Sequence, residues 1–214
     1  MPDERTGKAI SGTSDADLDA AMDRYADGDD RAFAAIHAAL HQRLRSFLLR
    51  LCRTQALADD LLQEAFLRIH RARGSFAKGS RVLPWAYAIA RNVHTDHTRS
   101  AHARRTASLD REDDDDGASD VPAGPSASAE EVTIARQTAK VVEEALARLP
   151  PAQREAFVLV RYEGMSIADT AKILGATENA VKLRAFHAYE ALRAALGIEK
   201  DKPKRAGARD AEPR

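Results

Sequence analysis

The 214-residue chain carries 33 Lys and Arg against 33 Asp and Glu, and 44% of its residues are apolar but only 5% aromatic. That apolar share is enough for real cores, whereas a formal net charge of zero argues, by itself, against nucleic acid. The single cysteine, Cys52, excludes an intramolecular disulfide and a thiolate metal cage. No stretch is long and apolar enough to cross a membrane, and the first twenty residues lack the apolar core of a secretory signal. A cytoplasmic protein without membrane insertion is the expectation.

The neutral sum hides an uneven distribution. From His41 to Arg105 there are 13 Lys and Arg against four Asp and Glu, while Asp110 to Asp120 holds seven acids and one Arg. Alanine and leucine dominate, and the pattern is helical rather than alternating, so the fold class is all-α.

Residues 1–20 are polar and small and read as a disordered tail. Helical patterning runs from there to 105. In "DDRAFAAIHAALHQRLRSFLLRLC", Phe33, Ile36, Leu40, Leu44, Phe47, Leu48 and Leu51 form one stripe, with Asp29 or Asp30 as the cap. The next helix buries Leu57, Leu61, Ala65 and Ile69, together with Leu62 and Phe66, and ends at Gly74. A loop, "GSFAKGSRVLP", leads to a third helix with Pro84 in its first turn, where proline is tolerated. Residues 106–133 are rich in Asp, Ser, Ala, Gly and Pro and read as a flexible, self-repelling acidic linker. Residues 134–197 return to helix, broken at Pro150 and Pro151, and residues 198–214 form a charged tail. The layout is two small helical domains on a string.

The C-terminal domain holds a helix-turn-helix in "GMSIADTAKILGATENAVKLRAFHAYEALRAAL". Ser166 caps the first helix, with Asp169 three residues on to complete a capping box. Gly175 supplies the left-handed turn. Thr177 caps the second helix, which buries Val181, Ala185, Ala188 and Leu192. That leaves Glu178, Asn179, Lys182, Leu183, Phe186 and His187 on or beside the outer face, as a groove-reading helix requires.

Two signatures then resemble a known family. The chain has Asp60, Leu61, Gln63, Glu64 and Phe66 in a D-L-x-Q-E-x-F helix. It also has Trp85, Ile89, Ala90, Asn92, Asp96 and Arg99 in a W-x-x-x-I-A-x-N-x-x-x-D-x-x-R helix. Both resemble region 2 of bacterial sigma-70 factors of the extracytoplasmic-function (ECF) group. The segment from Leu149 to Arg193 resembles region 4 of the same group, in the same order and spacing.

The resemblance implies that residues 21–105 bind core RNA polymerase and the promoter minus-ten element. Residues 134–197 would then bind the minus-thirty-five element and the polymerase flap. Asp60, Gln63, Glu64 and Leu67 share one face of a helix, which suits docking on a basic helical partner; the resemblance names this partner as the clamp coiled coil. A solvated acidic face with Leu67 half buried fits the same residues. The minus-ten candidates are Phe76, Lys78, Ser80, Arg81, Trp85, Arg91, Asn92 and Arg99, with Tyr87, His94 and His97 on the same helix. Basic groups steer phosphate, and amide or aromatic groups receive unstacked bases. Trp85 also fits a core position.

For the minus-thirty-five element the candidates are Arg154, Glu178, Asn179, Lys182, Leu183, Arg184, Phe186 and His187. Lys182 and Arg184 would contact phosphate or guanine and Arg154 phosphate, an ordinary exposed surface arginine being the other reading of Arg154. Phe186 fits either DNA contact or packing against the first helix of the motif. The chain departs from the commoner G-T-V-K-S-R-x-x-R-A pattern: Asn179 and Ala180 replace Gly-Thr, Leu183 replaces Ser, and His187 replaces Arg. Fold is unaffected, but the bases read there differ. "DREDDDD" is either a solvated tether or a nucleic-acid mimic lying in a polymerase channel. The resemblance also implies an anti-sigma factor as a partner.

Other function classes find little support. His37 and His41 stand four residues apart, and "HTDH" offers His94, Asp96 and His97, yet neither has a third ligand at credible spacing. No Gly-rich phosphate loop, serine elbow or CxxC is present, so no catalytic residue, metal, cofactor or small-molecule substrate is expected. The alternative is a stand-alone helix-turn-helix regulator, which leaves the first domain without a role.

Overall fold

The computed structural model describes residues 14–52, 54–107 and 129–198. The acidic run and its proposed channel role, residues 108–128, lie outside them; the ends expected to be linker, 106–107 and 129–133, are instead helical, as the last residues of the fourth helix and the first of the fifth. The described residues form eight α-helices: α1 (Asp15–Ala26), α2 (Phe33–Cys52), α3 (Gln55–Ala72), α4 (Val82–Ala107), α5 (Ala129–Arg148), α6 (Pro151–Phe157), α7 (Ile167–Leu174) and α8 (Glu178–Ala195). A π-helical turn, Val158–Tyr162, extends α6.

The first unit packs α1 to α4. Helix α1 begins at Asp15, within the stretch expected to be tail. Its N-terminus is fixed by a reciprocal capping box: Asp17 N–H donates to Ser14 Oγ and Ser14 N–H to the Asp17 carboxylate, each at 3.1 Å. Leu18, Ala21, Met22 and Tyr25 form its buried face. Ile36, Leu40, Leu44, Phe47, Leu48 and Leu51 of α2 are buried as the periodicity requires, and Asp29 accepts the Arg31 N–H in the single turn before that helix. Each such side chain contributes about 2 kcal/mol by leaving water.

In the second unit α7 and α8 form the helix-turn-helix. Ser166 Oγ accepts the Asp169 N–H at 3.0 Å, and Thr177 Oγ1 accepts the Ala180 N–H at 3.2 Å. In place of the reciprocal capping-box bond, the Asp169 carboxylate takes the Ser166 hydroxyl at 2.8 Å and reaches Arg81 of the first unit. Gly175 has φ +59°, and the Ala176 N–H bonds back to the Ala171 carbonyl, closing α7 in a Schellman turn.

The two units are not beads on a string. Helix α4 lies against α7 and α2 against α6, and Ala156, Leu159, Met165, Ala171 and Ile173 join the same buried core as α1 to α4. A smaller core of Ala145, Leu146, Leu149, Phe157, Ala188 and Leu192 holds α5, α6 and α8 together. Linker composition carries no information about such docking, which depends on faces from distant segments.

Candidate nucleic-acid interface

Helix α3 turns Asp60 and Gln63 to solvent, with Leu67 49% exposed beside them, while Leu61, Leu62, Ala65 and Phe66 face inward. Glu64 is half-buried and accepts Arg68 Nε at 2.8 Å, and the same guanidinium reaches Asp96 of α4 at 2.7 Å. An acidic-amide surface with one exposed leucine therefore exists as a continuous face.

The loop before α4 presents Lys78, Ser80 and Arg81 outward, whereas Phe76 is 6% exposed and packs edge-on against Trp85 with ring centroids 5.1 Å apart. In this conformation Phe76 is an anchor for the loop and offers no open ring face. Trp85 is half-buried and flanks the core, so it serves packing while remaining partly accessible. Asn92 and Arg99 point outward along α4, and His97 is half-buried between them.

Three residues grouped with this patch in the sequence turn toward the second unit instead. Tyr87 is buried and donates its hydroxyl proton to Glu163, which also pairs with Arg50 at 3.5 Å. Burial, reinforced by the Glu163 charge, pushes the Tyr87 phenol well above its ordinary range; burial also raises the Glu163 carboxyl. Arg91 pairs with the buried Glu155 at 3.1 Å. His94 is held down to about 4 by burial first and by the neighbouring Arg154, His97 and Arg91 charges next, and its Nδ1 has no hydrogen-bond partner among the described residues. Arg81, although exposed, reaches Asp169 at 2.7 Å.

On α8 the outer face matches expectation in geometry. Glu178, Asn179, Lys182 and His187 are exposed, Arg184 is half-buried, and Val181, Ala188 and Leu192 lie inside. Leu183 and Phe186 are 57% and 54% exposed, so both lie largely on the outer surface. Tyr189, one turn further on and half exposed under Arg193, extends that apolar strip. Periodicity could have included it, since it stands three residues beyond Phe186.

Arg154 differs from the expectation of an outward phosphate contact. Its guanidinium donates to the carbonyls of Leu146, Ala147 and Leu149 at the end of α5 and to the Leu51 carbonyl at the end of α2. A fork of fixed donors fits several orphan carbonyls, and cations are favoured at helix C-termini. A lone Arg in a sequence gives no sign of that.

Comparison with known proteins agrees with this architecture. The family model described as Sigma-70 region 2 matches residues 36–105, and that described as Sigma-70, region 4 matches residues 139–192. RNA polymerase sigma factor CarQ of Myxococcus xanthus is 37% identical over 177 residues, covering 82% of this chain and 95% of the relative. ECF RNA polymerase sigma factor SigM of Mycobacterium tuberculosis is 39% identical over 184 residues, covering 86% and 85%. Among solved structures, the sigma factor RpoE in complex with the anti-sigma factor NepR, from Bartonella quintana, superposes with TM-score 0.66 at 24% identity, covering 78% of this chain and 98% of that one. The region 2 match gives the first unit the role that a stand-alone regulator would lack, and that reading is set aside. The chain belongs to the sigma-70 family, in its ECF group, and is a sigma factor that directs RNA polymerase to promoters to start transcription.

Proposed function

We propose that Asp60, Gln63, Glu64 and Leu67 dock on the clamp coiled coil of core polymerase. Lys78, Ser80, Arg81, Arg91, Asn92 and Arg99 then hold the melted minus-ten strand, with Trp85 stacking at its edge. Helix α8 enters the major groove at the minus-thirty-five element: Lys182 and Arg184 contact phosphate or guanine, and Glu178, Asn179, Leu183, Phe186 and His187 face base edges and thymine methyls. The observation that carries this is the polarity of α8, whose exposed face presents these side chains opposite the buried Val181, Ala188 and Leu192.

Two modest contacts on one chain reinforce each other through effective concentration, so both elements are required at fixed spacing. The docked arrangement is a resting form, because Arg81 and Arg91 are occupied by Asp169 and Glu155. Phosphates exchange with those carboxylates when polymerase draws the units apart. The protein acts without catalysis of its own, in the cytoplasm, and a protein of the anti-sigma kind holds it inactive. Among the described residues no helix is long and apolar enough to cross a membrane.

Run-off transcription with purified core polymerase on a genomic promoter pool tests this reading. Lys182→Ala with Arg184→Ala should weaken upstream-element binding and flatten its salt dependence. Undiminished promoter activity in the double variant would overturn the assignment of α8.

A further inference from the structure

Helix α1 and the residue that caps its C-terminus carry a row of acids at four-residue spacing, Asp15, Asp19, Asp23 and Asp27, and therefore along one face. Asp15 pairs with Arg43 of α2 at 3.0 Å. The other three all address the segment between α3 and α4. Asp27 pairs with Lys78 at 2.5 Å. The Asp23 carboxylate accepts the Gly79 backbone N–H at 3.1 Å. Asp19 accepts the Val82 N–H at 2.8 Å.

These bonds determine the shape of the loop. Val82 is the first residue of α4, and its N–H is one of the orphan donors of a helix start. Asp19 supplies from another helix the cap that the residue before Val82, an arginine, lacks the acceptor to give, and its charge lies at the favourable end of the helix dipole. Gly79 is left-handed at φ +73°, within a turn closed by the Ser80 N–H to the Ala77 carbonyl at 3.0 Å. Asp23 pins that glycine. With Phe76 sunk in the core at the other end, the backbone is held at its start, middle and finish. The side chains left outward are Lys78, Ser80 and Arg81.

We propose that Asp19 and Asp23 are positioning residues for promoter recognition: they hold the 76–82 loop in its strand-reading shape before DNA arrives, without touching DNA themselves. Ordering a loop residue costs about 1–2 kcal/mol, and a loop ordered in advance does not spend that on binding. Two carboxylates beside a nucleic-acid surface are unfavourable for affinity, so their acceptor geometry is what they contribute. Asparagine keeps a carbonyl acceptor and drops the charge; alanine drops both.

This rests on reading the loop as a minus-ten contact, and the experiment separates the two ideas. Full-length protein assembled with core polymerase is incubated with a library of single-stranded oligonucleotides randomised across the minus-ten element. Bound molecules are sequenced to give the enrichment of each base at each position. A duplex library randomised at the minus-thirty-five element serves as the internal control. Asp23→Ala and Asp19→Ala should each lower enrichment at the loop-read position about tenfold, the equivalent of one hydrogen bond, with the upstream enrichment unchanged. Asp23→Asn and Asp19→Asn should restore it.

A merely structural role would not be rescued position by position in this way. Alanine variants that keep full base discrimination overturn the proposal, as do asparagine variants that lose as much as alanine. Ser80→Ala with Arg81→Ala tests the underlying reading. If that pair leaves every enrichment unchanged, the loop is not a minus-ten contact. If it abolishes discrimination while Asp23→Ala does not, only the positioning role falls.

Discussion

Arg154 offers the sharpest test of how this fold is held together, because its two roles respond oppositely to lysine. A phosphate contact needs only positive charge. Its observed bonds, to three carbonyls closing α5 and one closing α2, need the planar fork. Hydrogen bonds from a charged donor contribute about 1.5–3 kcal/mol each, but four bonds sharing one half-buried guanidinium are far from additive, so removal should cost about 3 kcal/mol. In Arg154→Lys one ammonium can satisfy one or two of the carbonyls and retains the helix-terminus attraction of about 0.5 kcal/mol, so about 2 kcal/mol should still be lost. Urea denaturation of wild type, Arg154→Ala and Arg154→Lys measures this, alongside the salt slope of binding to an upstream-element duplex. A lysine variant as stable as wild type, with alanine affecting only DNA affinity, would refute this helix-joining role and restore the phosphate contact.

Gly175→Ala should cost about 1 kcal/mol by equilibrium denaturation, because the added methyl meets no atom within 4 Å and only the left-handed backbone at φ +59° resists it. A loss beyond about 3 kcal/mol would mean that the turn is also sterically crowded. His94 supplies a pH dependence. Its value is depressed in the folded chain, so its contribution to stability is present above the ordinary 6.5 and is lost as pH falls from 6.5 toward about 4. At most about 2 kcal/mol is involved, since the ring keeps some access to water. Glu163, raised by burial, acts in the opposite sense, its ionised form being the disfavoured one, and so offsets part of the acid loss. His94→Gln should flatten stability between pH 6.5 and 4; an unaltered pH profile would exclude His94 as the sensor. Cys52 donates to the Leu48 carbonyl and burial pushes its thiol up to about 11, so a disulfide reagent at pH 8 should label it only as fast as the protein opens. Immediate labelling in the folded state would contradict that.

Most features carried by local spacing are legible in the chain alone, the reciprocal bond of the Ser166 capping box being an exception. The 3.6-residue stripes of α2 and α3, the Ser166 and Thr177 caps and the left-handed Gly175 depend on neighbours three or four positions away, and chain order preserves those neighbours. The outward faces of α3 and α8 follow from the same period, Phe186 included. Groups whose partners are distant in the chain take their roles from packing instead. Read along the chain, Tyr87 and Arg91 look like parts of a basic-aromatic minus-ten patch and Arg154 like a phosphate contact of the second domain. They meet Glu163, Glu155 and carbonyls of α2 and α5 because two units dock. The acids of α1 have four-residue spacing in plain view, yet their function as clamps on the 76–82 loop depends on α1 crossing the start of α4. Helical periodicity says which side of a helix is polar; packing decides what that side is given to hold.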